Sequence, residues 1–460
     1  MRKVLFVYAK GGPPLEYALS RVAAKAEVHL LVLSPLPPSA HEVVTRLCAS
    51  VVTSVDTASQ DLVALITAQA QAVGADAVFT PSEYAVVAVA DACERLGLAG
   101  AGAHCVLARD KRMMRRTWDA HGVSQPRFRS VATERDLHEA AAEVPYPMLM
   151  KAAWSAGSTA HQILRGPEDI APAWVRAREV MDESARQGYA ELHVAGADAD
   201  FLVEEIVTGT AGDWFEEPGW GDYVSVEGVV AEGVYHPVCL SGRMPTVEPF
   251  TERAGITPAL LPEDAQRKVV ELATAAVDAL GLRTCGTHTE IKLGADGRMW
   301  VIETAARFGG AMTVPQIEEV FGVDVIGMLI DRLLGREVDW PDPGPGSVLG
   351  AADAKGAAGS LVVLAVDGSG APWPDRRLWD FDAVQRSGLI STGARLTKVA
   401  EHSLPDGTPV PVYDPAAGAN TMAALCLLVA DDPVTVIRDF ERLNDALPTA
   451  LPPVPATGRP

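Results

Sequence analysis

Over the first hundred positions, short apolar runs alternate with helix-length amphipathic stretches. Val4 to Tyr8 reads as a buried strand, Leu15 to about Ala26 as a helix, and Val28 to Leu33 as a second strand. Ser59 to Val73 is again helical, Ala77 to Thr80 is a third strand, and Glu83 to Leu96 is a further helix. Strand alternating with helix predicts a parallel sheet in an α/β domain, which Gly97-Leu98-Ala99-Gly100 closes. Gly11-Gly12 lacks the G-x-G-x-x-G spacing of a dinucleotide fingerprint, so it reads as a plain βα turn.

The pattern then changes. Asp110-Lys111-Arg112-Met113-Met114-Arg115 lies on a helix, where a basic cluster is usually only a solvated face. The apolar run from Val144 to Met150 ends in Lys151, and Ala153-Trp154-Ser155-Ala156-Gly157-Ser158-Thr159 follows it. A lysine at a strand end before a small, hydroxyl-rich loop can neutralise phosphates while backbone N–H groups cradle them. A polar helix spans about Pro167 to Gln187, and Phe201 to Val207 is a strand carrying Glu204-Glu205 at its centre. Acids in an apolar strand cost desolvation unless they are partnered or lie at an edge. Tyr223 to Val230 puts Val224, Val226 and Val230 on one face and Ser225 and Glu227 on the other. A loop-rich stretch from Cys239 to Pro262 holds Arg243, Glu248, Glu252 and Arg253, and Glu263 to Leu280 is a helix. Pro315 to Leu334 reads as one helix with Val320, Phe321, Val325, Ile326, Leu329 and Leu333 as its core stripe, stopped at Gly335. Trp340 to Gly346 is a linker, about 350 to 450 mixes short strands, turns and a last helix, and Leu451 to Pro460 is a Pro-rich tail expected to be disordered.

The densest chemistry sits between these helices. Thr287 to Leu293 and Met299 to Glu303 read as two strands joined by a turn at Asp296-Gly297. A two-residue turn there places Glu290 opposite Glu303. Like charges in that relation destabilise a sheet, and a bound cation removes the penalty. Alternation carries Arg307 to the same side, beside the acid pair. A surface hairpin with solvated charges is the competing reading of these residues alone. His288 shares a face with Glu290 and either orients a ligand, acts as a base or sits as a hydrogen-bonded core histidine; Glu227 is a candidate substrate contact.

Composition narrows the class. The chain has 460 residues and a formal charge of −21, which argues for several domains and against a general nucleic-acid binder. Six scattered cysteines include no Cys-x-x-Cys pair, so neither a zinc knuckle nor a disulfide framework is indicated. The apolar run after Met1-Arg2-Lys3 is too short for a signal peptide or a membrane span, and a soluble, cytoplasmic protein is the expectation.

Taken in order, these elements resemble the ATP-grasp superfamily: an α/β preliminary domain, a helix with Lys111, the Lys151-to-Thr159 loop, the acidic strand Glu204-Glu205-Ile206-Val207, then Glu290, Glu303 and Arg307 followed by Gly309-Gly310. Within it, the segment from Phe250 through Glu252 to Gly255 and Pro258 is similar to the substrate loop of the bacterial L-amino acid ligases, which join amino acids into dipeptides. The resemblance covers roughly residues 1 to 335.

It implies an α/β chain with the ATP-grasp fold. The expected division is an N-terminal parallel α/β domain (1–105), an ATP-grasp domain (106–340) with a lid subdomain at about 120–207, a C-terminal α+β subdomain (341–450) and the tail (451–460). The implied activity is ATP-dependent carboxylate–amine ligation through an acyl phosphate. ATP and one or two Mg²⁺ ions are the cofactors, a small carboxylate and an amine are the partners, and a homodimer is allowed. Lys111 and Lys151 would contact the ATP phosphates, and Ser158 and its neighbours, Gly157 among them, would form the flexible lid loop of the ATP site. Glu204, Glu205 and Val207 would line the adenine pocket, with backbone groups of Glu205 and Val207 reading the base. Glu290 and Glu303 would hold the metal, Arg307 and Gly310 would stabilise the reacting centre, and Glu252, His288 and Glu227 are the substrate candidates. Ala305 stands where many relatives carry an asparagine ligand, and Gly255 where dipeptide ligases often carry histidine. Ligation to a carrier-protein thiol and a non-catalytic nucleotide sensor are the alternatives.

Overall fold

The computed structural model describes residues 1–55, 61–186, 201–341 and 347–455. The start of the expected Ser59 helix, Gln187, most of the Trp340-to-Gly346 linker and the last five residues of the tail lie outside them.

The first domain forms as its pattern requires. Strands β1 (Lys3–Tyr8), β2 (Glu27–Val32), β3 (Cys48–Thr53) and β4 (Ala77–Phe79) make a parallel sheet in the order β3-β2-β1-β4. Helices α1 (Leu15–Ala23), α2 (His41–Leu47), α3 (Leu62–Val73) and α4 (Val86–Leu96) connect them. Strand β3 is absent from the sequence reading because its burial is too irregular for a core strand; it is an edge.

The second sheet is small and antiparallel. After α5 (Lys111–Ala120) come β5 (Phe128–Val131), α6 (Glu134–Ala140), β6 (Met148–Ala152), β7 (Gln162–Leu164), α7 (Ile170–Arg186) and β8 (Phe201–Glu205), with strand order β5-β8-β6-β7. Its own core gathers Leu137, Met148, Met150, Ile170 and Phe201. A capping box starts α6: the Thr133 hydroxyl accepts from the Asp136 N–H, and the Asp136 carboxylate accepts from the Thr133 N–H.

The third sheet has eight strands, every neighbouring pair antiparallel. Strands β9 (Tyr223–Ala231), β10 (Val234–Arg243), β11 (Ala254–Thr257), β12 (Cys285–Leu293) and β13 (Met299–Ala305) are joined by β14 (Ala357–Val363), β15 (Arg395–Lys398) and β16 (Ala424–Ala430) in the order β13-β12-β9-β10-β11-β14-β16-β15. Strands from the C-terminal segment thus extend the sheet that carries Glu290 and Glu303. Helix α8 (Glu263–Leu280) covers one face, in a core with Val224, Val226 and Val230. Helices α9 (Thr313–Phe321) and α10 (Val325–Leu333) cover the other face and share their core with β1, β2 and α1 of the first domain. Helix α11 (Phe381–Arg386) and the closing α12 (Pro433–Ala450) complete the chain.

Two expectations need correction. The single helix from Pro315 to Leu334 is broken. Gly322 takes φ +74° at the end of α9, and the Asp324 side chain caps α10 by accepting from the Gly327 N–H. The core stripe survives the break, because all six of its residues are buried. The hairpin turn is also not two residues long. Gly294 and Arg298 close a loop whose Ala295-to-Gly297 segment is a 3₁₀ turn, with Asp296 at φ +57°. Leu293 therefore faces Met299, Lys292 faces Trp300, and Ile291 faces Val301. Ile302 is then an extra residue, a β-bulge, after which Glu290 faces Glu303. The shift at the turn and the shift at the bulge cancel, so the expected carboxylate pairing forms by a different route.

Trp118 locks α5 onto this sheet domain. Its ring is fully enclosed and its Nε1–H donates to the Ala276 carbonyl of α8 at 3.0 Å. Trp118→Ala is expected to cost about 3–5 kcal/mol through the cavity it leaves, and Trp118→Phe considerably less, read as the shift in denaturation midpoint. Equal midpoints for wild type and Trp118→Ala would show that α5 is held by something else.

Candidate active site

The bulge at Ile302 is the geometric origin of the site. A bulge leaves carbonyls outside the ladder, and here a buried cation takes them. Arg115, on the inner face of α5, donates from Nη1 to the Val301 carbonyl at 3.2 Å and from Nη2 to the Ile302 carbonyl at 2.7 Å. Its Nε donates to Glu204 at 2.7 Å, and the other Glu204 oxygen pairs with Lys151 Nζ at 2.6 Å. One guanidinium therefore joins the bulge, the acidic strand β8 and the strand-end lysine of β6. Burial opposes ionisation of Glu204, but Arg115 and Lys151 outweigh it and hold the carboxyl down to about 2.

Lys111 opens α5 behind its N-cap, Asp110. Its Nζ donates to the Ser155 carbonyl at 2.7 Å and to Glu303 at 3.3 Å, so it spans the loop after β6 and the second carboxylate of the facing pair. Glu290 contacts His288 Nε2 at 3.3 Å, while His288 Nδ1 bonds Glu227 on the other side. Burial opposes the imidazolium, but Glu227 and Glu290 together push His288 up to about 9. Held between two carboxylates, the ring is placed to orient Glu290. Glu227 is fully enclosed. One oxygen meets His288 and the other accepts from the Gly309 N–H at 2.8 Å, so it supports the chain just after Arg307.

Arg307 is anchored from the first domain. Its Nε lies 2.6 Å from Glu83, a buried acid just past the C-terminal end of β4. The second Glu83 oxygen lies 3.5 Å from Arg109 Nε, and Arg109 Nη2 donates to the Trp154 carbonyl at 2.6 Å. Burial opposes the Glu83 carboxylate, yet Arg307, Arg109 and Lys111 keep its pKa below the usual range. Gly310 sits against Gly12 of the first domain.

The remaining candidates spread around this centre. Glu252 is half-exposed and pairs through one oxygen with the buried Arg243 at 2.5 Å. Ser158 donates to the Phe250 carbonyl at 3.1 Å, and Gly157 and Ser158 take φ +63° and +59°. The Glu205 N–H donates to the Arg127 carbonyl at 2.9 Å, and Val207 lies half-buried just beyond β8. Ala305 is buried opposite His288.

The sequence reading missed Glu83, Arg109 and the roles of Arg115 and Arg243. A signal for Glu83 existed, since it follows the C-terminal end of a parallel strand, where α/β domains bind ligands. His161 was missed too; its Nδ1 is buried without a hydrogen-bond partner, and burial with Lys151 and Lys111 nearby lowers its pKa well below the usual value.

Two facing carboxylates suit a hard divalent cation that completes its shell with phosphate oxygens and water. Among the described residues no group of three or more His, Cys, Asp or Glu side chains forms a metal cluster. Lys111 and Lys151, on either side, are the natural counter-charges for a polyphosphate.

Residues 144–315 match the ATP-grasp domain family. This segment is an ATP-grasp domain. It contains Lys151, Glu204, Glu290, Glu303 and Arg307, whereas Glu83, Arg109 and Lys111 precede it. The chain is 36% identical over 288 residues to alanine–anticapsin ligase of Bacillus subtilis (strain 168), covering 62% of this chain and 59% of that one. It is 37% identical over 291 residues to the enzyme of the same name from Bacillus amyloliquefaciens, covering 62% and 60%. The chain thus spans about three fifths of the length of these curated relatives. In fold it is similar to the L-amino acid ligase from Bacillus licheniformis, with TM-score 0.72 at 17% identity over 96% of this chain and 97% of that one. A biotin carboxylase from Campylobacter jejuni is also similar, with TM-score 0.62 at 17% identity over 94% and 88%. The likeness to the L-amino acid ligase is one of fold. Among the described residues no helix is long and apolar enough to cross a membrane.

The Glu204 pair sets an acid limit. Its folded pKa, about 2, lies below its ordinary 4.5, so its contribution is complete above about pH 4.5 and is lost as pH falls towards 2. Glu204→Gln is expected to flatten the acid-stability curve in that window. It should also cost about 3–5 kcal/mol at pH 7, because Arg115 and Lys151 are left buried without their anion. Thermal unfolding from pH 7 to 2.5 measures both, and an unchanged acid profile would contradict the pairing.

Proposed function

We propose that this protein is an ATP-dependent carboxylate–amine ligase that joins an amino acid or related acid to an amino acid or amine. One observation carries the reading: Glu290 and Glu303 face each other, Lys111 bridges Glu303 to the loop after β6, and Arg307, four residues after Glu303, is held by Glu83. The comparisons support it, since the curated relatives are named for ligation of alanine to anticapsin.

A carboxylate resists attack by an amine. In the proposed reaction a substrate carboxylate oxygen attacks the γ-phosphorus of ATP, ADP leaves, and an acyl phosphate forms. The amine nitrogen then bonds to the carbonyl carbon, the amine loses a proton, and the C–O bond to phosphate breaks. Lys111 and Lys151 offset the repulsion between carboxylate and triphosphate. The Arg307 guanidinium is planar and matches paired oxygens of a phosphoryl or carboxylate group. Glu290 and Glu303 would hold Mg²⁺, which, when bound, supplies charge neutralisation at the phosphates. The His288 imidazolium and Glu227 position Glu290 and Gly309. Glu252, half-exposed and paired on one side with Arg243, is placed to receive a substrate ammonium.

Incubation with ATP, Mg²⁺ and pairs of amino acids is expected to release ADP and phosphate only when an acid and an amine are both present, with a condensed product by mass spectrometry. AMP and pyrophosphate would refute the proposal. Glu303→Gln is expected to abolish Mg²⁺-dependent turnover while keeping the fold. Arg307→Ala is expected to lower kcat by about 10²–10³ with a smaller change in ATP affinity. A fully active Arg307→Ala enzyme would remove Arg307 from the reaction.

A further inference from the structure

Two loops border the proposed site, and one segment of the C-terminal region holds both. The lid loop, Gly157 to Ala160, meets it at three points. The Ala160 N–H donates to the Ala416 carbonyl at 2.9 Å, Asn420 Nδ2 donates to Thr159 Oγ1 at 3.2 Å, and Gly418 packs so closely that an added Cβ would lie 2.9 Å from the Gly157 carbonyl oxygen. Ala416 is buried within the hydrophobic core of the lid itself, with Ala152, Ala160 and Phe201. At its other end the same segment holds the loop leading to Glu252. The Tyr413 hydroxyl bonds the Glu248 carbonyl and Thr251 Oγ1, each at 2.8 Å.

The segment is internally braced. The Asp414 carbonyl accepts from the N–H groups of Ala417 and Gly418, its side chain accepts from the Ala416 N–H at 3.0 Å, and Thr421 Oγ1 donates to the Gly418 carbonyl at 2.9 Å. A braced piece with contacts at both ends cannot follow one loop while ignoring the other. Opening the lid loop breaks the contacts at Ala416, Gly418 and Asn420 or drags Tyr413 off the substrate loop.

We infer that Tyr413 to Thr421 is a strap that couples closure of the nucleotide lid to the position of the loop carrying Glu252, with Tyr413 and Asn420 as positioning residues for the ligase reaction. Nucleotide held under the lid then orders residues 247–252, and substrate at that loop favours the closed lid, since coupling between sites is reciprocal. The strap rests on the ligase reading, because it takes the space under the lid to be the ATP site.

Hydrogen exchange on the full chain tests it without knowledge of the amino acid substrate, using Mg²⁺ and the β,γ-imido analogue of ATP as the probe. In the wild type the analogue is expected to slow amide exchange in the lid loop, in 413–421 and in 247–252. In the Tyr413→Phe/Asn420→Ala variant, protection of the lid should persist while exchange at 247–252 becomes at least about five-fold faster than in the bound wild type. Neither substitution touches the direct lid-to-loop contacts, Ser158 with the Phe250 carbonyl and Arg165 with Glu248, so the comparison isolates the strap. A merely structural role would raise exchange throughout, with or without nucleotide. If the double variant fails to fold, Tyr413→Phe alone, which removes both bonds to residues 247–252, gives the same reading. Unchanged protection at 247–252 in the variant, or none there in the wild type, overturns the strap. No protection at the lid or along β12 and β13 in the wild type overturns the ATP reading itself.

Discussion

A buried cation must be met on every side that water once occupied, and Arg115 satisfies that demand with the groups that define the site. Three of its five N–H donors reach the two bulge carbonyls on β13 and the Glu204 carboxylate on β8. Without the bulge, Glu303 would point to the opposite face of the sheet from the one it shares with Glu290, since side chains alternate along a strand. The acid pair, the strand-end lysine and the bulge are therefore one electrostatic unit, built before any ligand arrives.

The same requirement organises the outer parts. A chain with a net charge of −21 concentrates its buried cations here: Arg109, Lys111, Arg115, Lys151 and Arg243 are all buried and all engaged with carboxylates or carbonyls. Glu83 brings the first domain into the network by holding Arg307. The proposed site thus lies where the parallel sheet domain, the small antiparallel sheet and the eight-stranded sheet meet. Removing one member of such a network strands its partners in a low-dielectric interior, which is why single charges here matter more than exposed pairs of equal length.

Much of this was legible beforehand. The first domain follows from strict alternation of strand and helix, and α8 was readable from its spacing to the residue. Lys151, Glu290, Glu303 and Arg307 were legible as candidates because each sits at a strand end or in or just after a hairpin, whereas Lys111 entered only through the resemblance. The facing of Glu290 and Glu303 was reached through a turn that is not there and a bulge that no pattern announced. Gly322 breaks the last long helix of the domain although its apolar stripe runs straight through, because the stripe records burial and not backbone continuity.

The sequence by itself determined which charged residues stand at strand ends, helix starts and hairpins and in which order the elements carry them, since these are local properties. The tertiary structure alone decided who pairs with whom. Glu83 with Arg307, Arg115 with the bulge, and Tyr413 with the substrate loop join positions separated by 224, 187 and 165 residues at most. No local periodicity encodes such contacts. They follow from packing three sheets together, where each buried charge takes the nearest opposite partner that the fold provides.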